Sequence, residues 1–186
     1  MDRDDSKDLL AVQQTLQGDT VAFNDIVRRY TPLLYSLAYR YVGGAEEAED
    51  AVQEIFLKVY KSLNTFRLET RFFSWFYTVA LNWLRSKTRT LKYHKKAVLF
   101  SQSDNIIQKI PAPGRDPAEE FAGKAAEQTA LAALAQLKPS YRDPFILHYQ
   151  EHLSLKETAD ILGLSPEGVK TRLFRARQSL KKILTA

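Results

Sequence analysis

The chain has 186 residues, 45% of them hydrophobic and 26% charged, with 27 Lys and Arg against 22 Asp and Glu for a formal charge of +5. This length allows one domain or two small ones, and the absence of cysteine excludes a disulfide framework and a thiolate metal site. The polar, acidic opening MDRDDSKDLL is unlike a signal peptide and no stretch reaches the roughly 20 apolar residues of a membrane span, so a cytoplasmic protein with no direct membrane insertion is expected.

Glycines are few and apolar residues recur at spacings of three and four, which predicts an all-α chain. No strand-like alternation bounded by turn residues stands out. A first helix is expected over 6–17, ending at Gly18. Asp19 is placed to cap a second, which carries Phe23, Ile26, Val27, Tyr30, Leu34, Leu37 and Tyr41 along one side. Pro32 is expected to kink or break it, and Gly43-Gly44 closes it. From Ala45 to Leu63, Glu46, Glu47, Glu49 and Asp50 crowd the first turns, where the helix dipole favours negative charge. Val52, Ile55, Phe56, Val59, Tyr60 and Leu63 supply the buried stripe of that helix.

The next helix is predicted to begin near Thr70 and holds FFSWFYTVALNWLRSKTRTLKYHKK, residues 72–96. Here aromatics run into Arg85, Lys87, Arg89, Lys92, Lys95 and Lys96 with no acid among them. At about 100° per residue, Phe72, Phe73, Phe76, Ala80, Trp83 and Leu84 share one broad face. Ser74, Thr78, Asn82, Arg85 and Arg89 form a narrow opposite stripe. Trp75, Tyr77 and Asn82 fall nearer the edges, where a ligand can reach them. Two readings follow: an amphipathic core helix, or a surface where aromatics and cations meet bases and phosphates.

Residues 97–123 carry three prolines and no sustained helical period, and they read as a linker too long for a turn within one compact domain. The second half opens with an alanine-rich helix near 118–137. Another is expected from Asp143 to His152 with Pro144 at its first position. Ser154 and Glu157 have the capping-box spacing; Leu155, Ala159 and Leu162 line a short helix, and Gly163 permits a turn. Ser165-Pro166 starts a longer helix with Val169, Leu173, Ala176, Leu180 and Leu184 on one side. Small Ala159, turn Gly163 and inward Val169 match a helix-turn-helix, with a plain helical hairpin as the alternative. Six cations between Ser165 and Lys182 face Glu167 alone, and Lys170, Thr171, Arg175 and Arg177 are left for other partners. Two separated basic patches suggest a polyanion touched at two places. His148 and His152 stand four apart, but Glu151 does not sit as in the zinc-protease pattern, so no metal is expected. No nucleophile elbow or phosphate loop is present, and neither catalysis, a cofactor nor a small-molecule substrate is expected.

The stretches AFNDIVRRY, AEDAVQEIFLKVYKSLNTFR, FFSWFYTVALNWLRS and ADILGLSPEGVKTRLFRARQSL resemble bacterial extracytoplasmic-function sigma factors, the two-domain members of the sigma-70 family. The resemblance implies two small helical domains joined by a flexible linker. Residues 1–96 would be a region 2-like domain for polymerase binding and minus-ten melting, 97–123 the linker, and 124–186 a region 4-like helix-turn-helix domain. It implies core RNA polymerase, duplex and single-stranded promoter DNA and an anti-sigma factor as partners. Asp50, Gln53 and Glu54 stand where the family docks the polymerase. Phe66, Tyr77 and Asn82 stand where it holds the unstacked minus-ten base, with Trp75 at the motif's tryptophan and Arg85, Lys87 and Arg89 on the basic side. Ser165, Lys170, Thr171, Phe174, Arg175 and Arg177 match the helix that reads minus-thirty-five DNA. The family often carries glycine where Leu68 stands and arginine where Thr78 stands. Two other readings are a helix-turn-helix regulator that binds duplex DNA unaided and a purely structural helical protein.

Overall fold

A computed structural model of the chain describes residues 5–98 and 129–185, with side chains of the first stretch as far as Arg89. Every regular element among these residues is helical. In chain order they are α1 (Asp5–Leu16), a 3-10 turn (Thr20–Ala22), α2 (Phe23–Val42), α3 (Ala45–Ser62), a second 3-10 turn (Leu63–Thr65) and α4 (Phe72–Val98). The second half holds α5 (residues 129–136), α6 (Pro139–Phe145), a π-helical turn (Ile146–Gln150), α7 (Leu155–Leu162) and α8 (Pro166–Leu184). The linker expected over 97–123 lies outside the described residues except for its first two, which end α4.

The helix boundaries follow local chemistry. Asp19 Oδ1 accepts from the Val21 and Ala22 amides and opens the turn that leads into α2. Gly43 takes φ 81° and donates its amide to the Tyr39 carbonyl, a left-handed cap that glycine adopts without Cβ strain. Pro32 does not break α2. It sits exposed on the solvent side while Tyr30, Leu34 and Leu37 anchor the opposite face, so burial outweighs the roughly 3 kcal/mol that an interior proline costs. Pro144 is not at a helix start either: Pro139 takes the first turn of α6, and Pro144 lies within it. After Phe145 the helix widens into the π turn, where Glu151 N–H reaches back to Ile146 O at 2.9 Å. His152 then takes φ 54°, unusual for a side chain with a Cβ.

The core of the first half is aromatic. Tyr30, Phe56, Phe66, Phe72, Phe73, Phe76 and Tyr77 are all buried, with Tyr30 and Phe76 ring centres 4.4 Å apart and Phe66 set edge-on to Phe72 at 5.4 Å. Tyr60 and Leu184, expected on buried faces, are largely exposed. Leu134, Leu137 and Ala176 form a second small core, and Ala159, Val169 and Leu173 a third between α7 and α8. Ile146, Leu147, Leu153 and Ile161 leave these small cores and join the aromatic core of the first half. The two helical domains therefore meet across a packed, partly apolar interface.

Candidate nucleic-acid interface

In the helix-turn-helix, position follows from two caps and a left-handed glycine. The Ser154 hydroxyl accepts from the Glu157 amide at 3.1 Å, while the Glu157 carboxylate accepts from the Ser154 amide at 2.9 Å. Gly163, at φ 63°, reverses the chain, and Ser165 Oγ accepts from Gly168 N at 3.1 Å with Pro166 at the first helical position. Val169, Leu173 and Ala176 point inward. The remaining positions of the 3.6-residue period, Lys170, Thr171, Phe174, Arg175 and Arg177, are all exposed, as is Ser165. Phe174 is 56% exposed among these cations, an apolar contact suited to a thymine methyl. All six residues expected to read duplex DNA thus lie exposed along one helix and its cap.

The expected strand-binding residues divide. Asn82, Lys87 and Arg89 are exposed on α4, and Trp75 and Arg85 are half-buried. Asn82 Oδ1 accepts from the Arg85 guanidinium at 3.3 Å, and Lys87 lies over the Trp83 ring at 5.7 Å. Phe66 is 7% exposed and packs 5.4 Å from the Trp75 ring, so it supports that ring from below more than it offers a face of its own. Tyr77 departs furthest from expectation. It is 1% exposed, 4.5 Å from the Phe73 ring, a core residue and not an edge one. The reason is that α4 is covered on more than one side, so a wheel with a single buried face misplaces its flank.

A cavity of about 380 Å³ opens beside Trp75, lined by Thr70, Arg71, Ser74, Thr78 and, from α7, Asp160. Leu68, 46% exposed, projects from the adjoining turn, which is closed by the Thr70 amide and hydroxyl on Arg67 O. Arg71, Ser74 and Thr70 were not among the expected site residues. Arg71 has a legible signal: a cation just ahead of a helix start opposes the dipole, and here Asp5 compensates by accepting from Arg71 Nε at 2.9 Å.

The third surface is on α3. Asp50, Gln53 and Glu54 are exposed opposite the buried Ala51, Val52, Ile55 and Phe56. Leu57, one turn on and 54% exposed, completes an acidic face with an apolar centre that charge alone does not reveal.

No helix among the described residues is long and apolar enough to cross a membrane. His148 Nδ1 lies 2.7 Å from the Leu153 carbonyl oxygen, which places that ring in the turn after the π segment. Among the described residues, no group of three His, Cys, Asp or Glu is arranged to hold a metal.

Residues 26–92 match the sigma-70 region 2 family and residues 127–180 the sigma-70, region 4 family. The chain is 32% identical over 176 residues to the ECF RNA polymerase sigma factor SigW of Bacillus subtilis, covering 93% of this chain and 94% of that one. It is 29% identical over 192 residues to the RNA polymerase sigma-H factor of Pseudomonas aeruginosa, with 96% and 94% covered. The solved structure of CnrH in complex with the cytosolic domain of CnrY shares the fold, with a TM-score of 0.69 and 23% identity over 96% of this chain and 97% of that one. With both regions matched in order and a relative at this identity along nearly its whole length, the chain belongs to the extracytoplasmic-function (ECF) RNA polymerase sigma factors, and its exposed helices are those of a transcription initiation factor.

Proposed function

We propose a division of labour among three surfaces of this sigma factor. The acidic α3 face (Asp50, Gln53, Glu54, with Leu57) docks core RNA polymerase. The exposed side of α8, from Ser165 through Lys170, Thr171, Phe174, Arg175 and Arg177, reads minus-thirty-five duplex in the major groove. The α4 side, with Trp75 at the cavity and Asn82, Arg85, Lys87 and Arg89 further along the helix, holds a base pulled from the minus-ten strand, and the buried Phe66 and Tyr77 make its platform rigid. Domain limits of 1–96 and 124–186 suit this division.

The chemistry is binding without catalysis. Unstacking a promoter base costs a few kcal/mol. A protein that forms no bonds offsets this by binding the opened strand better than the duplex. Stacking returns about 1–3 kcal/mol per base, and nearby cations hold the phosphates. The observation that carries the reading is the coincidence of an uncovered basic recognition helix behind two intact caps with a second, separate aromatic and basic surface.

An anti-sigma factor is the proposed regulator of this cytoplasmic sigma factor. Its support is the shared fold with CnrH bound to CnrY, and with the sigma factor RpoE of Bartonella quintana bound to the anti-sigma factor NepR, at a TM-score of 0.62 and 21% identity over 88% of this chain and 97% of that one. Transcription by core polymerase and the purified chain from a randomised promoter library tests the whole reading. Two enriched elements at a fixed spacing are expected. Enrichment of one element, or binding to duplex DNA without core polymerase at physiological salt, would favour a stand-alone helix-turn-helix regulator.

A further inference from the structure

The polar contacts between the two domains fall on α2, at Ser36, Arg40 and Tyr41, and on the α4 stripe that carries Thr78 and Arg85. Asp143, nearly fully buried at the α6 end of the interface, accepts from Arg85 Nε at 2.7 Å and from the Tyr41 hydroxyl at 2.6 Å. Burial, and then the Asp143 charge, hold the Tyr41 phenol far above its ordinary pKa, so it stays a donor. Arg142 stands 3.7 Å from the same carboxylate and over the Tyr41 ring. About two turns further along, the buried Glu151 carboxylate accepts from Ser36 Oγ and Arg40 Nε, each at 3.1 Å. The Thr78 hydroxyl, shared between Ser74 O within α4 at 2.8 Å and Ile161 O at 3.1 Å, lies where α7 runs along the α4 stripe. Beside it the exposed Asp160 lines the cavity that Arg71 and Trp75 also line. The Asp5 hydrogen bond, and beyond it the charges of Asp5, Glu157 and Asp160, lift the Arg71 pKa above its ordinary value.

Two of these carboxylates stand beside α4-side cations, Asp143 against Arg85 and Asp160 in the wall of the cavity that Arg71 also lines. The other two surfaces are treated differently. The α8 reading face and the acidic α3 face are exposed in the same arrangement. The π turn and the left-handed His152 concentrate the backbone irregularity of the second domain in the segment that carries Ile146, Leu147, Glu151 and Leu153 to the interface. Irregular geometry of this kind persists only where surrounding contacts hold it.

We propose that the packed form is self-masked toward one ligand only: Asp143 and Asp160 of the second domain occupy Arg85 and the Arg71 cavity in place of the minus-ten strand, while polymerase and minus-thirty-five duplex can still dock. Single-stranded DNA and the second domain then compete for one set of cations. Strand affinity is reduced by the fraction of chains that are open. This rests on the strand-site reading above.

The test uses the full chain. It has no cysteine, so Ser36→Cys with Glu151→Cys supplies the only two thiols, and a short bismaleimide bridges them across the interface. Binding of a fluorescent single-stranded minus-ten oligonucleotide is read by anisotropy at low salt, against the same double variant capped with a monofunctional maleimide. The bridged form is expected to bind the strand at least about fivefold more weakly and to keep its affinity for minus-thirty-five duplex. Asp143→Asn, which keeps an acceptor for Tyr41 but removes the charge facing Arg85, is expected to bind the strand at least about fivefold more tightly than the natural chain. Equal strand binding by bridged and capped forms overturns the masking, whatever the Asp143 variant does. Loss of duplex binding on bridging overturns the selectivity. If even the capped form and Asp143→Asn bind no strand at low salt while duplex still binds, the strand-site reading falls and takes the proposal with it.

Discussion

Tyr30 brings its hydroxyl to within 2.5 Å of Asp8 Oδ2, and Arg29 pairs with the other oxygen of that carboxylate. Burial, followed by the bond to Asp8, keeps the phenol protonated far beyond its usual range, so the tyrosine is a permanent donor to a charge that is itself buried. Tyr30→Phe keeps the ring packing against Phe72 and Phe76 and removes only that donor. A loss of about 1.5–3 kcal/mol in urea unfolding is expected, since hydrogen bonds to charged groups contribute on that scale. Asn82 is the opposite case. It is exposed, so Asn82→Ala should change stability by less than about 0.5 kcal/mol. Transcription from fully duplex promoters should nevertheless fall by about tenfold, as loss of one contact of roughly 1.4 kcal/mol implies, with core polymerase binding kept. Reduced core binding, measured by competition with a labelled sigma factor, would count against the assigned role. At this scale the sequence distinguishes these residues only partly. The 3.6-residue period separates Asn82 from Phe76, yet Tyr77 sits on a flank whose burial depends on which other elements cover α4.

At the scale of elements, α7 and α8 are defined by contacts within a few residues of each other. Gly163 has nothing within 4 Å of where a Cβ would stand, so Gly163→Ala meets no clash and only the left-handed φ of 63°. Destabilisation of about 1–2 kcal/mol in thermal or urea unfolding is expected, with minus-thirty-five recognition intact in the folded fraction. Arg175→Ala leaves the buried Leu173 and Ala176 untouched and should remove about 1–3 kcal/mol of discrimination at one upstream base pair. An unchanged preference in binding to a set of upstream variants would contradict a base contact and leave Arg175 a phosphate contact. Caps and turns of this kind are legible in a sequence because their donors and acceptors are neighbours in it: Ser154 with Glu157, Ser165 with Gly168 and Gly43 with Tyr39 all behave as spaced. The prolines are not legible in that way. Pro32 argues for a break and Pro144 for a helix start, and what overrides them is burial of distant partners: Leu34 and Leu37 in the aromatic core, Ile146 and Leu147 against the first domain.

For the whole molecule, the two basic patches and the change of composition after residue 96 make two helical modules visible in the sequence, and they make a polyanion the natural partner. The packing of one module on the other is not visible. Asp143, Glu151 and Ile161 become interface residues only when helices 58 to 115 residues away in the chain arrive, as Arg85 does for Asp143 and Ser36 for Glu151. No local period encodes that meeting. It brings together the polar stripe of α4 and carboxylates of the second domain, while the outer side of α8 and the acidic face of α3 stay exposed. Promoter opening by core polymerase with the purified chain, followed by permanganate reactivity of minus-ten thymines, reports most directly on whether the protein traps an unpaired base. On fully duplex promoters, reactive thymines are expected only when both proteins are present, with Asn82→Ala defective on duplex and its transcript yield restored on a template already mismatched across the minus-ten element. Binding of the polymerase complex to the fully duplex promoter without any reactive thymine would contradict strand capture as the work of this sigma factor.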